Sequence, residues 1–481
     1  MVRRCPKTTP DPLGFWTSRT KYIFVAYPNH TIKMEIKSVF TLSRTLLWTV
    51  GLSLSVFLFG CQRAGTPSPE VVDVNAAAED PTPPAPTSDP AVLEAATEMV
   101  ESVGGEMTRD GDGEITAVDF GDSSVTDADM EKLVGLKRLE RLRVNRPQIT
   151  DEALPAIGQL TSLRVLDLRF CRVGDPGMQH LVNLENLEEL RLDRTDVRDP
   201  EGFNAIAQLP NLRRLHLAFT FVSDDALAEL SEAKTLELID LRECGRISNA
   251  ALAHLQGLEN MRALRLYGRQ ITDEGMPYLK GMTQLRVLGL QDTGVHDEGL
   301  EAVRDLPLEE VNVFRTQIGD DGLAHLSHMS QMRVMELRDC RVTDDGLAHV
   351  SNMTQLRKLD LGETNVGDEG LRHIEDLTTL EDLSVWFTWV TDAGLESVGK
   401  LTNLRRLNLN KTEVSDEGLA QLAGLQDLRW LHLGETRVTD QGLEQLSQLK
   451  NLEYLNLTFC TVSDQAIAQL KEALPNLTVE F

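Results

Sequence analysis

The sequence predicts an α/β fold, a right-handed solenoid in which a curved parallel sheet lies inside and helices lie outside. A segment of about 24 residues returns about fourteen times between residues 124 and 481. Each copy contains leucines that alternate with period 2, as a strand with one buried face requires. Each copy also contains apolar residues at helical spacing. A strand and a helix therefore follow each other in every turn.

The strand half of a turn reads L-x-x-L-x-L, as in Leu356, Leu359 and Leu361, and Thr or Cys follows three residues later. The helix half places Leu347 and Val350 on one face. One turn cannot bury both halves alone, so turns must stack. Strands about 4.8 Å apart inside and helices about 8–10 Å apart outside bend the stack, which puts the sheet on the concave side.

An acidic residue recurs once per turn, as Asp344 does in the segment VTDDGL. The one substitute in this column is Asn249. Asp and Asn are about equally good helix N-caps, whereas only Asp could serve as a base or a strong metal ligand. Gly or Ala stands two residues later, where a larger side chain would block a close turn. We therefore expect the aspartate to cap a helix, not to catalyse a reaction.

The combination of L-x-x-L-x-L-x-x-C/T with V/I-T-D-x-G-L resembles the cysteine-containing subclass of leucine-rich repeats. That subclass is known in F-box ubiquitin-ligase substrate receptors and in bacterial secreted and surface proteins. The resemblance covers roughly residues 115–481 and implies the fold and the habit of binding proteins, without a ubiquitin role. Cysteines occupy the Thr position several turns apart, so no disulfide is expected. They are Cys171, Cys244, Cys340 and Cys460.

The N-terminal part predicts an export signal over residues 34–60. Lys37 and Arg44 form a basic region, and an apolar stretch from Leu46 to Gly60 precedes Cys61. This stretch is short for a membrane-spanning helix, which needs about 20 apolar residues, and it has the proportions of a secretory signal. An uncleaved anchor is the alternative. Residues 1–33 have no helical or strand period, so we expect translation to start at Met34 and residues 1–33 to be a non-native extension.

The signal ends in Leu58-Phe59-Gly60-Cys61, which resembles a bacterial lipobox. The resemblance implies a lipid on Cys61, although Phe59 departs from the usual small residue. Gln62 in place of Asp implies, by resemblance to Gram-negative lipoproteins, the outer membrane and not the inner one. Residues 61–92 are rich in Pro and Ala and predict a disordered tether. Residues 93–123 predict an N-terminal cap of a helix and a hairpin, and residues 124–481 predict the solenoid.

Charge and motifs limit the function classes. The formal charge is −27, and the residues from Cys61 onward hold 40 basic and 73 acidic side chains. Such a surface repels phosphate backbones, which disfavours nucleic acid, so we expect no nucleic-acid partner. The sequence contains no HExxH, GxSxG or paired CxxC motif. We expect neither an enzyme nor a cofactor or metal site.

The concave face is where a ligand is expected. Its N-terminal half supplies arginines interleaved with acids, which predict either mutually paired ladders or a groove for an acidic peptide. The arginines chosen as ligand-binding candidates are Arg143, Arg169, Arg191 and Arg265.

The C-terminal half of the concave face supplies aromatic side chains of the kind enriched at protein-binding hot spots. These candidates are Trp386, Phe387, Trp389, Trp430, Tyr454 and Phe459. For Phe387 and Phe459 the alternative is that they cover the loop above the strand. The sequence thus predicts a non-catalytic, membrane-tethered scaffold that binds a partner protein or peptide, with an envelope or extracellular polysaccharide as the alternative ligand. It leaves the oligomeric state open.

Overall fold

A computed structural model describes residues 86–481 together with the backbone of two short strands, β1 (Ala26–Tyr27) and β2 (His30–Thr31), which pair antiparallel. The chain divides into two units, Met1–Pro81 and Thr82–Phe481. The repeats lie in the second unit. The predicted signal segment, Cys61 and the first part of the predicted tether lie outside the described residues.

The second unit contains one sheet of seventeen strands that pair in chain order. The pair β3–β4 is antiparallel, and every later pair is parallel. The strands are Glu106–Arg109 (β3), Ile115–Asp119 (β4), Arg141–Arg143 (β5), Val165–Asp167 (β6), Glu189–Arg191 (β7), Arg214–His216 (β8), Leu238–Asp240 (β9), Ala263–Tyr267 (β10), Val287–Gln291 (β11), Glu310–Asn312 (β12), Val334–Glu336 (β13), Lys358–Asp360 (β14), Asp382–Ser384 (β15), Arg406–Asn408 (β16), Trp430–His432 (β17), Tyr454–Asn456 (β18) and Thr478–Glu480 (β19).

A helical segment follows nearly every strand. The α-helices are Pro90–Val103 (α1), Leu154–Ile157 (α2), Asp175–Met178 (α3), Pro200–Ala207 (α4), Asp224–Ala228 (α5), Asn249–Leu255 (α6), Asp297–Glu301 (α7), Asp320–Leu326 (α8), Asp344–Leu347 (α9), Asp368–Arg372 (α10), Leu395–Val398 (α11), Asp416–Leu419 (α12), Asp440–Leu446 (α13) and Asp464–Ala473 (α14). Short 3-10 helices span Asp127–Leu133, Asp151–Ala153, Gln179–Leu181, Glu229–Glu232, Asp273–Gly281 and Ala420–Gly424. The α/β solenoid predicted from the repeat is confirmed, with fourteen strands from β5 to β18.

The strands are held in register by a column of buried central residues. In β14, Leu359 is buried between Lys358 and Asp360, and it pairs with Met335 of β13 and Leu383 of β15. Because side chains alternate along a strand, burial of the central residue directs the residues on either side of it to the concave surface. The hydrophobic core therefore runs continuously between sheet and helices, and the concave face is built from the flanking positions.

Apart from Asp199, which occupies the N-cap position without a capping hydrogen bond from its side chain, the recurring aspartate is not the N-cap of its own helix, so the N-cap prediction is wrong. In the turn of α9, Thr343 is the N-cap and Asp344 is the first helical residue. The carboxylate of Asp320, one turn earlier, accepts hydrogen bonds from the backbone N–H of Thr343 (2.9 Å) and from its hydroxyl (2.7 Å). The aspartate ties each turn to the next one. A neighbouring turn, which a single isolated helix lacks, supplies these donors.

The same bond to the backbone recurs along the solenoid, and it explains Asn249. The Asn249 Oδ1 accepts from the N–H of Thr272 (2.9 Å), and its Nδ2 donates to the Thr272 hydroxyl (2.8 Å), so an amide satisfies both partners. The other pairs are Asp127–Thr150, Asp151–Gly174, Asp175–Arg198, Asp224–Ser248, Asp273–His296, Asp297–Gly319, Asp344–Gly367, Asp368–Thr391, Asp392–Ser415, Asp416–Thr439 and Asp440–Ser463.

Glycine stands two residues after most of the aspartates, and it has a steric reason, as predicted for the Gly or Ala at this position. A Cβ on Gly346 would overlap the Oδ1 of Asp320, the carboxylate of the preceding turn. The obstructing group is thus the inter-turn carboxylate. The recurring V/I-T-D-x-G-L segment is explained by stacking: the threonine donates to the previous aspartate, the aspartate reaches the next turn, and the glycine leaves room.

The N-terminal cap begins earlier than residue 93. Helix α1 starts at Pro90, and the side chain of its N-cap Asp89 accepts from the N–H of Ala91 at 2.8 Å. Ser88 is buried, and its backbone N–H donates to Glu114 at 2.9 Å. Residues 88–92 therefore belong to the cap and not to the tether, because Asp-Pro supplies an N-cap and a first-turn proline. The hairpin β3–β4 starts the parallel sheet as predicted.

Candidate binding surface

The concave surface consists of three parallel rows of side chains and a rim. In the turn of β16 the first row is Arg406, the second row is Asn408 and the third row is Asn410. The rim residue is Lys411, directly after the third row. Equivalent positions in neighbouring turns lie beside each other because the strands are parallel and in register. Each row thus forms a continuous line of side chains across the sheet.

The rim follows an unusual backbone conformation. Its residues have positive φ values between 53° and 65°, the left-handed region that disfavours side chains. The backbone N–H of Phe387 donates to Asn410 of the next turn at 2.9 Å, and Lys411 donates to Gly434 in the same way. The sheet hydrogen bonds therefore hold the conformation. The non-glycine rim residues are Phe170, Arg194, Phe219, Glu243, Asp292, Arg315, Asp339, Glu363, Phe387, Lys411, Glu435 and Phe459.

Trp430 is the centre of a first-row aromatic cluster. Its ring stacks on Tyr454 of β18 with a centroid distance of 5.7 Å and an interplanar angle of 6°. Arg406 of β16 lies 4.7 Å from the ring centroid, and it comes from the strand on the opposite side. The Tyr454 hydroxyl in turn donates to Glu480. Both faces of the indole are covered by the chain itself, so Trp430 is fixed in place and presents its edge.

Trp386 occupies the third row two turns earlier. The guanidinium of Arg338 lies 4.4 Å from its ring centroid, and Arg338 is itself hydrogen-bonded to Glu363 at 2.6 Å. The ring centroid of Phe387 lies 6.3 Å from that of Trp386. Trp386 and Trp430 therefore belong to two separate clusters: Trp386 lies beside the rim, and Trp430 lies at the opposite edge of the strands.

The remaining aromatic candidates lie on or beyond the rim. Exposed fractions are 57% for Phe387, 69% for Trp389 and 84% for Phe459. Side chains that open to solvent cover little of the loop beneath them, which disfavours the alternative reading of Phe387 and Phe459. Of the predicted aromatic set, the structure brings together Trp430 with Tyr454 and Trp386 with Phe387.

The arginine candidates lie on the concave face in ion pairs. Arg169 contacts Asp167 at 2.7 Å, Arg143 contacts Asp119 at 2.9 Å, and Arg191 contacts Glu189 at 2.5 Å. The acids are themselves buried or backbone-bound; for example, Asp167 accepts from the N–H of Arg169 at 3.1 Å. These are the contacts expected of paired ladders.

Electrostatics inside the ladder follow from this pairing. Burial acts to raise the pKa of Glu189, but the guanidiniums of Arg191 and Arg214 outweigh it and hold that pKa below its ordinary value. Burial, together with the neighbouring Arg191, lowers the pKa of His216. Burial raises the pKa of Asp193, although the nearby His216 acts in the opposite direction.

Arg265 borders a notch in the middle of the concave face. The second-row residue of the next strand is Gly289, and the missing side chain leaves a pocket of about 200 Å³. Arg242, Gln291 and Asn312 also line it. Arg265 lies 3.9 Å from Asp240, which is the carboxylate that Arg242 already binds at 2.7 Å. This notch is a place where a ligand could approach the sheet closely.

Comparisons with known proteins bear on the fold. Residues 308–479 match the family described as leucine-rich repeat region, and residues 159–182 match a leucine-rich repeat. The fold is that of a leucine-rich repeat solenoid. No curated protein matches the chain.

Two solved structures resemble this leucine-rich repeat solenoid. An internalin (inlF) from Listeria monocytogenes has 22% sequence identity and a TM-score of 0.50, and the match covers 75% of this chain and 93% of the other. The leucine-rich repeat protein LIC12759 of Leptospira interrogans has 18% identity and a TM-score of 0.50, with 73% and 92% covered. At these identities the likeness shows the fold alone.

The leucine-rich repeat fold generally mediates protein–protein interaction and is typically non-catalytic. Within residues 86–481 no helix is long and apolar enough to cross a membrane.

Sequence reasoning missed the N-terminal rim of the leucine-rich repeat solenoid. Phe170, Phe219 and Phe221 are exposed there, and Arg194 and Arg246 lie over their rings. Phe170 and Phe219 stand at the same place in their turns as Phe387 and Phe459, which the sequence did single out. The shared position was the available signal.

Proposed function

We propose that this chain is a non-catalytic scaffold that binds a partner protein or peptide on its concave face, with the C-terminal aromatic residues as anchors. The observation that carries the proposal is the arrangement of Trp430 between Arg406 and Tyr454. A fixed aromatic side chain loses little conformational entropy when a partner packs against it, which is typical of binding hot spots. The Trp386 cluster would supply a second anchor.

The same geometry favours a protein ligand over a polysaccharide. A sugar ring stacks on an open aromatic face, and both faces of Trp430 are occupied by Arg406 and Tyr454. A peptide can instead pack against the exposed edge and hydrogen-bond to the polar residues beside it. These include Asn408 and Asn410. Polysaccharide binding stays the alternative that the experiment must separate.

The placement of the scaffold in the cell is part of the proposal. A lipid on Cys61 would anchor the chain to the bacterial cell envelope, at the outer membrane, and the Pro/Ala-rich segment after it would hold the solenoid away from the surface. Support comes from the lipobox-like sequence that ends at Cys61. Metabolic labelling with an alkyne-bearing fatty acid tests this: wild type should be labelled and Cys61→Ser should not.

The experiment for the binding function compares four forms of the full chain. Envelope proteins are cross-linked to wild type, Trp386→Ala, Trp430→Ala and Tyr278→Ala, and the captured proteins are compared. Tyr278 is an exposed aromatic residue on the helical side and serves as the control. We expect a protein captured by wild type and by Tyr278→Ala to be lost from both tryptophan variants.

Two results would contradict the proposal. If all four forms capture the same proteins, the aromatic clusters are not the protein-binding site. If a glycan array shows a polysaccharide bound by wild type and lost from the tryptophan variants, the ligand is a polysaccharide.

A further inference from the structure

A second cluster of aromatic and basic residues lies on the rim of the N-terminal half, on turns distant from Trp386 and Trp430. We call it the N-terminal rim patch: Phe170, Arg194, Phe219, Phe221 and Arg246. The guanidinium of Arg194 lies 3.9 Å from the ring centroid of Phe219 and 5.6 Å from that of Phe170. The guanidinium of Arg246 lies 5.1 Å from the ring of Phe221. The patch thus alternates apolar rings and cations over neighbouring turns.

The phenylalanines in this patch are not explained by folding. Phe170 and Phe219 have φ values of 65° and 60°, the left-handed conformation that glycine adopts more readily than a residue with a side chain. Gly268 occupies the rim of a later turn with φ 114°, so glycine is accepted at this place. The phenylalanine side chains also bury little, with exposed fractions of 48% for Phe170, 46% for Phe219 and 56% for Phe221. The other non-glycine rim residues share this conformation, so it does not select phenylalanine. Large apolar side chains that stay exposed are typical of a binding surface.

The two arginines differ from the other cations that lie over aromatic rings. Arg315, Arg338, Arg406 and Lys411 each contact a ring and also form an ion pair with a carboxylate. By contrast, within residues 86–481 no carboxylate forms an ion pair with Arg194 or Arg246. A guanidinium that stacks on a ring keeps its N–H donors in the plane, directed away from the ring. Both arginines therefore present unused donors in a chain that is otherwise rich in acids.

We propose that the N-terminal rim patch docks an acidic segment of a partner protein in which carboxylate side chains alternate with apolar ones. Carboxylates of the segment would accept hydrogen bonds from the N–H groups of Arg194 and Arg246. A guanidinium can donate two parallel hydrogen bonds to one carboxylate. Apolar side chains of the segment would cover the phenylalanine rings. This surface is separate from the concave aromatic clusters. The proposal for it therefore does not depend on ligand binding at the concave site.

The chemistry favours a peptide over an anionic membrane or a nucleic acid. Those ligands present an extended array of phosphates, and the chain from Cys61 onward has 73 acidic against 40 basic side chains, which repels such arrays. The patch offers only two unpaired guanidiniums, with Asp193 and Glu243 close to Arg194 around the same pocket of about 270 Å³. A peptide segment that carries a few carboxylates beside apolar side chains fits this surface, and an extended array of phosphates does not.

The test uses a fluorescein-labelled hexapeptide, acetyl-Glu-Leu-Asp-Phe-Glu-Leu-amide, and its uncharged counterpart with Gln and Asn in place of Glu and Asp. Fluorescence anisotropy with the full chain at low salt should show binding of the acidic peptide only, and salt should weaken it. The double variant R194Q/R246Q should lose about tenfold in affinity or more, because two charge-assisted contacts are removed. Phe219→Ser should weaken binding too.

Arg315→Gln is the matched control, since Arg315 is a rim arginine over an aromatic ring that already has the carboxylates of Asp292 and Asp339. We expect its affinity to equal that of wild type. The proposal is overturned if the acidic peptide does not bind, if R194Q/R246Q binds it as tightly as wild type, or if the uncharged peptide binds equally well. Binding to phosphatidylglycerol vesicles that disappears in R194Q/R246Q would instead assign the patch to a lipid surface.

Discussion

The guanidinium of Arg338 reaches the indole of Trp386 at 4.4 Å although a whole turn lies between them. The third-row residue of that intervening turn is Gly362, and a Cβ there would meet the Trp386 Cε3 at 3.2 Å. Absence of one side chain thus lets residues of two non-adjacent turns touch. The concave surface is shaped by where the repeat omits a side chain as much as by where it supplies an aromatic one.

A double-mutant cycle between Arg338→Ala and Trp386→Ala tests this contact. We expect a coupling energy of about 0.5–1 kcal/mol in the free energy of unfolding, the usual value for a cation over an exposed aromatic ring. In a Gly362→Val background the coupling should vanish, because the added methyl groups separate the pair. Gly245→Val, at a glycine with no atom near its Cβ direction, is the control background and should keep the coupling. An undiminished coupling in the Gly362→Val background would contradict the interpretation.

The inter-turn aspartates should matter unequally for stability. Replacing Asp320 by Ala removes the acceptor of two hydrogen bonds from Thr343 and leaves a part-buried N–H unpaired, at a cost of about 1–3 kcal/mol. Asp320→Asn should cost much less, since Asn249 makes the same backbone bond naturally. Urea denaturation followed by circular dichroism measures both.

Asp199 is the matched control for that series. It occupies the same column, but its side chain is exposed, its helix begins one residue later at Pro200, and within residues 86–481 its carboxylate accepts no hydrogen bond from the next turn. Asp199→Ala should therefore change the free energy of unfolding by no more than about 0.5 kcal/mol. Equal losses for Asp320→Ala and Asp199→Ala would mean that the aspartates act through their own helices, as the N-cap prediction held.

The repeat made most of the fold predictable, because every turn must bury the apolar face of one strand and one helical segment against its neighbours. Alternating leucines such as Leu359 and Leu361 indicate a strand, and their period sets the number of turns. The N-cap prediction for Asp344 failed because a single turn of sequence does not show which neighbour lies beside it. The predicted tether extended too far, to residue 92. Ser88 is already buried, and its backbone N–H is bonded to Glu114, 26 residues away, a contact that the local sequence does not show.

The candidate site was predictable in composition but not in geometry. Trp430 and Tyr454 stand at equivalent places in adjacent turns, so their stacking could be read from the period. The contact of Arg338 with Trp386 crosses the intervening turn at Gly362. The repeat period predicts which residues are neighbours in adjacent turns, but it does not predict a contact across a turn. The phenylalanines around Arg194 share their position in the turn with Phe387 and Phe459, which the sequence does show, whereas the lack of a carboxylate partner for Arg194 is visible only in the structure.

His216 should make stability depend on pH. Burial lowers the pKa of His216 below its ordinary value, so the folded chain resists protonation while the unfolded chain accepts it. Stability should therefore be unaffected by this group above about pH 7 and should fall as the pH drops through the ordinary histidine pKa of about 6.5. His216→Gln should lose less stability between pH 7.5 and 5.5 than wild type. Thermal melts across this range measure the effect.

His180, exposed on the helical side, provides the comparison. His180→Gln should show the same pH dependence as wild type. If it flattens the dependence as much as His216→Gln, burial of His216 is not the cause.

The inward-facing cysteines should differ in reactivity along the solenoid. Burial raises the pKa of Cys171 to about 12 and that of Cys244 and Cys340 to about 11, so the reactive thiolate is scarce at pH 8. Cys460 is only half-buried, in the last full turn before β19. Native alkylation with iodoacetamide, followed by peptide mass spectrometry, should modify Cys460 first.

Reaction of the three buried thiols should require opening of the turns that cover them. Each turn of a solenoid is stabilised by its neighbours, so opening is easiest at the ends and hardest in the middle. Cys244 and Cys340 should therefore react more slowly than Cys171, which lies nearer the N-terminal cap. In urea all four should react at similar rates. If Cys244 is modified in the native chain as fast as Cys460, the central turns open independently of the ends.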